Sequence, residues 1–210
     1  MNGLNDLRAM EFAHDLKVPL QLIASCVQLL EEEIHTNARA EGYLRTLARS
    51  ADQLQTMVRH ALEEGAQPGV RNIMKDAKDI AHEFDILARR KGIHVQFCAN
   101  ASQFCMRIDG EKLRRILHNL LSNALRFTPC GGRIRLDVQL MGDSVEFSVS
   151  DTGCGIPEKD QPRVFERGFS ADSTGHGLII SKKYAEIMGG SLKMESWQGV
   201  GSRFTLRIPV

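Results

Sequence analysis

The sequence predicts an α+β chain in two parts, an antiparallel helical hairpin followed by an α/β sandwich. Three observations carry this expectation. Apolar residues recur in steps of three and four from Leu16 to Ala61, and they alternate in three short stretches beyond residue 130. The segment EEGAQPGV at 63–70, with two glycines and a proline, separates the two patterns and reads as a linker. The expected boundaries are a hairpin over 1–65, a linker over 66–70 and a second domain over 71–210.

In the first part, Leu16, Leu20, Ile23, Val27, Leu30 and Ile34 form one seam, and Leu44, Leu47, Ala51, Leu54, Val58 and Ala61 form a second. The spacing is the period of about 3.5 residues found in helices packed as in a coiled coil. The polar stretch HTNARAEG between them is a short turn, so the helices are expected to run antiparallel. Two helices alone cannot cover both seams, whereas two hairpins close a four-helix bundle, and a homodimer is therefore expected. The alternative is a hairpin folded against its own second domain.

A helical wheel places His14, in AHDLKVPLQLI, on this hairpin. At 100° per residue the first seam clusters within about 40° of one direction, and His14 points about 160° away from it. Val18, Gln21 and Ser25 share the outward face, and Pro19 removes a backbone donor just after the histidine. A core histidine is thereby disfavoured, while an inert surface histidine and a reactive one both remain open.

In the second part, helices are expected near 72–90, 109–127 and 177–189. GRIRLDVQL, SVEFSVS and SRFTLRI alternate apolar with polar residues, as half-buried strands of a sheet with one covered face do.

Composition removes several function classes. The 210 residues are 42% hydrophobic and 25% charged with a net charge of +1, which gives no footprint for a nucleic-acid partner. No apolar run approaches the roughly 20 residues that span a bilayer, and MNGLNDLRAMEF lacks the basic start and apolar centre of a signal peptide. The expected location is cytoplasmic, either for the chain as it stands or as the cytosolic part of a membrane-anchored protein. Five cysteines, at 26, 98, 105, 130 and 154, contain no C-x-x-C pair, so neither a disulfide framework nor a zinc site is expected.

Two stretches of the second part carry candidate chemistry. In EKLRRILHNLLSNALRFT, residues 111–128, the apolar face is Leu113, Ile116, Leu117, Leu120, Leu121 and Leu125, and Arg115, Asn119, Asn123 and Arg126 form a stripe opposite it. Two amides and two cations suit an anionic ligand, and an asparagine oxygen is a hard donor for Mg²⁺; a merely solvated helix face is the alternative. In SVSDTGCGIP a strand ends in Asp151, followed by Gly153 and Gly155. Glycines permit close approach of backbone to a ligand, and a carboxylate can accept a hydrogen bond from an exocyclic amine such as that of adenine. Neither a dinucleotide-binding G-x-G-x-x-G nor a P-loop is present.

Taken in order, FAHDLKVPL, HNLLSNALRFT, DTGCGIP, VFERGF, GHGLII and GVGSRF resemble the histidine, asparagine, glycine and phenylalanine boxes of bacterial sensor histidine kinases. The resemblance spans residues 8–210. It implies a dimerising phosphoacceptor hairpin followed by an ATP-binding sandwich of the histidine-kinase and gyrase type, with ATP and Mg²⁺ as cofactors and the receiver domain of a response regulator as partner. Asp151 would meet the adenine amino group, Gly153 and Gly155 would let the chain turn beneath the base, and Asn123 would hold the metal. Asn119, Arg126, Phe165, Gly175, Gly177 and Thr205 complete the implied nucleotide contacts. Residues 158–174, polar apart from Val164, Phe165 and Phe169, would form a lid over ATP anchored by those two phenylalanines.

In related ATPases of this fold, such as gyrase and the large heat-shock chaperones, the position of Asn119 resembles that of the glutamate that activates water. An amide cannot act as a base, so the resemblance points to His14 as nucleophile, with Asp15 orienting the imidazole and taking its proton. Lys17 or Arg126 would stabilise charge on the phosphoryl group. Three residues depart from the family pattern: Val18 stands where threonine or asparagine is usual, Ile179 replaces the last glycine of a G-x-G-x-G box, and Gly168 replaces a bulkier residue. Val18 has no group to position a hydrolytic water, so weak phosphatase activity is expected. The competing functions are an adaptor or phosphotransferase dimer that does not use ATP, and a hydrolytic ATPase of the same fold.

Overall fold

In the computed structural model, residues 68–166 and 177–210 are described, together with Ile23 and Leu47, which are both helical and half-buried. Apart from Ile23 and Leu47, the hairpin seams and the dimer they imply lie outside the described residues, as do His14, Asp15, Lys17, Val18, Gly168, Phe169 and Gly175. The chain divides into two compact units, Met1–Ala66 and Gln67–Val210.

The second unit begins with a two-stranded ribbon, β1 (Gly69–Asn72) antiparallel to β3 (Cys105–Ile108). Gly69 and Val70, expected in the linker, are thus already strand, paired with Ile108 and Arg107. The main sheet has five strands in the order β2-β4-β5-β7-β6. These are β2 (His94–Ala99), β4 (Arg133–Met141), β5 (Ser144–Asp151), β6 (Ser191–Trp197) and β7 (Gly201–Pro209). The pair β2 and β4 is parallel and every other pairing in this sheet is antiparallel. Helices α1 (Ile73–Arg89), α2 (Gly110–Phe127) and α3 (Gly177–Ile187) supply the second layer, and a 3-10 turn covers Glu158–Arg163.

Alternation decides which sheet face the helices cover. Ile134, Leu136 and Val138 on β4, Val145, Phe147 and Val149 on β5, and Phe204, Leu206 and Ile208 on β7 are all buried in one core with Ile80, Leu117 and Leu121 of the helices. The other face is polar and wet: Arg135 binds Asp137, Arg203 binds Ser150, and Ser148 meets Thr205.

Both long helices start on side-chain caps. Asn72 Oδ1 accepts the Lys75 N–H at 3.3 Å and the Phe104 N–H at 3.4 Å, which ties the start of α1 to the residue before β3. Asp109 accepts the Lys112 N–H at 3.0 Å and pairs with the Lys112 ammonium. It satisfies an orphan donor and complements the helix dipole, and it does so while 7% exposed. Replacing Asp109 with Ala should lower unfolding stability by about 1–2 kcal/mol, the usual value of such a cap, measured by urea denaturation followed by circular dichroism. An unchanged midpoint would show that Lys112 and water satisfy the helix end without it.

Candidate functional site

Strand parity places Asp151 on the buried face of β5, in line with Val145, Phe147 and Val149. A carboxylate there loses solvation, and burial raises its pKa above the ordinary carboxylate value, opposed by the N–H groups of Gly153 and Ser202. The Gly153 N–H reaches Asp151 Oδ1 at 2.8 Å, so the turn that follows the strand is folded back onto its own carboxylate.

That turn is pressed between two other elements. A Cβ on Gly153 would lie 2.6 Å from the Phe127 carbonyl oxygen at the end of α2. A Cβ on Gly155 would lie 2.0 Å from the Trp197 carbonyl oxygen, and its φ of +65° is one that side chains rarely adopt. The Cys154 carbonyl, between them, accepts the Gly199 N–H at 2.7 Å. Glycine is therefore required at 153 and 155 for the turn to pack between the end of α2 and Trp197 beside Asp151.

The end of α2 that touches this turn also carries Asn123, one helical turn before Phe127. Asn123 is half-buried and its amide makes no hydrogen bond within the described residues, which leaves its oxygen available to a cation. A further turn back, Asn119 Nδ2 donates to Ser181 Oγ at 2.9 Å, and its Oδ1 lies 2.2 Å from where a Cβ on Gly177 would be. Asn119 and Gly177, the first described residue of α3, are thus brought together. Arg115 Nη1 donates to the Tyr184 hydroxyl of α3 at 3.1 Å, with its guanidinium over the same ring. Arg126 is exposed, with its guanidinium over the Phe127 ring.

Phe165 is half-buried against the core with the Lys182 ammonium 5.3 Å from its ring centre, and Val164 is buried beside it. Ile179 lies half-buried in the first turn of α3. Along α2 the only acid is Glu111, in the first turn, so the stripe from Arg115 to Arg126 offers amides and cations but no general base.

Thr205 is one of the implied nucleotide contacts. It stands on the polar face of β7, 3.4 Å from Ser148 Oγ, and so points away from the face that holds Asp151. The β7 residue facing Asp151 across the ladder is Ser202, three positions earlier. Parity could have found it: with Phe204, Leu206 and Ile208 facing inward, Ser202 must also face inward and Thr205 outward. No cluster of three or more His, Cys, Asp or Glu suited to a metal occurs among the described residues, and none of the described helices is long and apolar enough to cross a membrane.

Residues 108–210 match the family described as histidine kinase-, DNA gyrase B-, and HSP90-like ATPase. Hybrid signal transduction histidine kinase D of Dictyostelium discoideum is 31% identical over 99% of this chain, which spans 15% of that protein. The adaptive-response sensory kinase SasA of Synechococcus sp. is 32% identical over 94% of this chain, which spans 57% of it. The chain therefore spans less than two thirds of the length of each of these relatives. Among solved structures, full-length ShkA in complex with AMPPNP is 26% identical, with a TM-score of 0.70 over 96% of this chain and 45% of ShkA. The half-buried Asp151, the glycine turn packed beside it and the amide-and-cation stripe of α2 accordingly belong to a chain of the bacterial-type sensor histidine kinases, with a catalytic domain of the histidine kinase, gyrase and HSP90 ATPase type.

Proposed function

We propose that the protein is an ATP-dependent protein-histidine kinase of a two-component system, which phosphorylates its own His14 and passes the phosphoryl group to an aspartate of a response regulator. The observation that carries this reading is the amide at Asn119. It is held by Ser181 and packed on Gly177 at the place where a water-activating ATPase would need a carboxylate. ATP is the substrate that fits the rest. Asp151 would accept the adenine amino hydrogen, the Gly153–Gly155 backbone would lie beneath the base, and the triphosphate would run along α2 past Asn123 toward the start of α3.

Asn123 would hold Mg²⁺, which would neutralise charge on the phosphates. An imidazole nitrogen of His14 then forms a bond to the γ-phosphorus as the bond from that phosphorus to the β,γ-bridging oxygen breaks, and ADP leaves. Asp15 takes the imidazole proton, while Lys17 or Arg126 offsets charge on the phosphoryl oxygens. In the second step the nitrogen–phosphorus bond breaks as a carboxylate oxygen of the response regulator bonds to phosphorus. Residues 1–65 would supply the dimerising phosphoacceptor hairpin, 66–70 the linker and 71–210 the catalytic domain, acting as a homodimer in the cytoplasm.

Three measurements test this reading. Incubation with γ-labelled ATP should give acid-labile, base-stable label on the protein that disappears in His14→Ala. Phosphate release without labelling would identify a hydrolase, and neither product an adaptor. The purified dimer should dephosphorylate its phosphorylated regulator slowly, because Val18 cannot orient water, and rapid dephosphorylation would refute that role for Val18.

The third measurement concerns pH. Burial holds the Asp151 pKa above the ordinary carboxylate value in the free protein, and a donated amino hydrogen favours the ionised form, so bound ATP should lower it. By linkage, ATP affinity falls as the pH drops through the raised value. The Asp151 carboxyl carbon shift, followed by NMR through an acid titration, should show a midpoint that ATP moves downward. A midpoint indifferent to ATP would remove Asp151 from the base site.

A further inference from the structure

Ser196 lies on β6 in the row that runs Ser196, Ser202, Asp151 across β6, β7 and β5. It is 7% exposed, and its single hydroxyl has three partners. The Ile156 N–H donates to Ser196 Oγ at 2.8 Å, the Gly201 carbonyl lies 3.1 Å away, and Ser202 Oγ lies 2.9 Å away. A hydroxyl has one hydrogen and two lone pairs. The N–H can only donate and the carbonyl can only accept, so the one hydrogen of Ser196 goes to Gly201 and its remaining lone pair must receive the hydrogen of Ser202.

The direction of the Ser202 hydroxyl is thereby set, with its hydrogen toward Ser196 and its lone pairs free to face its other cross-strand neighbour, Asp151. Residues paired across a ladder have Cβ atoms about 5 Å apart, so a group bonded to Asp151 lies within reach of Ser202. The site then presents two acceptors side by side, a carboxylate and a hydroxyl oxygen.

We propose that Ser196 is a specificity-determining positioning residue, which orients the Ser202 hydroxyl so that the base site accepts a purine with an amino donor at position 6 and disfavours one with a carbonyl there. This rests on the reading of Asp151 as the base-binding carboxylate. Gln161 backs the same arrangement, since its Nε2 donates to the Ile156 and Ser196 carbonyls at 3.0 and 2.9 Å. When the Ser196 hydroxyl is removed, the Ser202 hydroxyl is free to turn and can donate to a 6-carbonyl.

The test is the ratio of ATP to inosine triphosphate affinity, measured by calorimetry on the full chain with Mg²⁺. Loss of one neutral hydrogen-bond preference should lower this ratio by about three- to tenfold in Ser196→Ala. Ser196→Thr, which keeps the hydroxyl, should retain the ratio. A purely structural role would weaken both nucleotides alike and leave the ratio unchanged in Ser196→Ala, which would overturn the proposal even if binding became weaker. In Ser202→Ala the ratio should also fall, and adding Ser196→Ala to it should change the ratio no further; independent effects would contradict the shared mechanism. Failure of the underlying reading has a different signature: the unmodified chain would not prefer ATP, or Asp151→Asn would bind ATP as the unmodified chain does.

Discussion

The close approach of the DTGCGIP backbone to two neighbouring carbonyl oxygens is the constraint on which the rest of this domain depends. With Gly153 against Phe127 and Gly155 against Trp197, the turn can lie only where α2 ends and the β6–β7 hairpin closes. That single packing requirement sets the depth of α2 relative to the sheet, and with it the distance from Asp151 to the amide stripe. A side chain at either glycine would have to move backbone rather than another side chain, which is the costlier adjustment.

Much of this architecture is legible in the sequence because it rests on local rules. Strands β4, β5 and β7 each carry three or more inward apolar residues, and α1, α2 and α3 fall within a few residues of the expected spans. Strands β2 and β6 escaped because each is an edge strand with only two inward apolar positions, Val95 and Phe97 in one and Leu192 and Met194 in the other. The ribbon of β1 and β3 was hidden for another reason: four-residue strands specify themselves mainly through their partner, and Gly69 and Val70 look locally like linker. At the site, the residue types of the motifs are legible in the sequence, whereas their partners depend on strand register. Thr205 and Ser202 differ by three positions, hence by face, and only the register across β5 and β7 shows that Ser202 meets Asp151.

Helix α2 serves two ends that its sequence does not separate. Its buried face, Leu113 to Ala124, anchors it to the sheet, while the opposite stripe divides by partner. Arg115 and Asn119 are committed to α3 through Tyr184 and Ser181, whereas the Asn123 amide makes no hydrogen bond within the described residues. The stripe is therefore graded along its length, from helix pairing at its start to an amide without a protein partner at its end. At Asn119 one amide serves both neighbours on α3, its Nδ2 donating to Ser181 and its oxygen lying against Gly177.

Asp151 is the one acid placed on the apolar side of β5, and its position runs against the pattern that builds the core. Sheet stability alone would favour an apolar residue there, in line with Val149 and Phe147. The acid is tolerated because N–H groups of Gly153 and Ser202 replace part of the lost water, yet burial still outweighs them. A carboxylate that remains under-solvated binds a further donor more strongly than one on the surface, since the incoming hydrogen bond displaces little water. The residues that complete its surroundings, Ser202 directly and Ser196 behind it, are small hydroxyls with every hydrogen accounted for. On the proposed reading of Asp151 as the base-binding carboxylate, the local cost of placing it there becomes selectivity for the donor it meets.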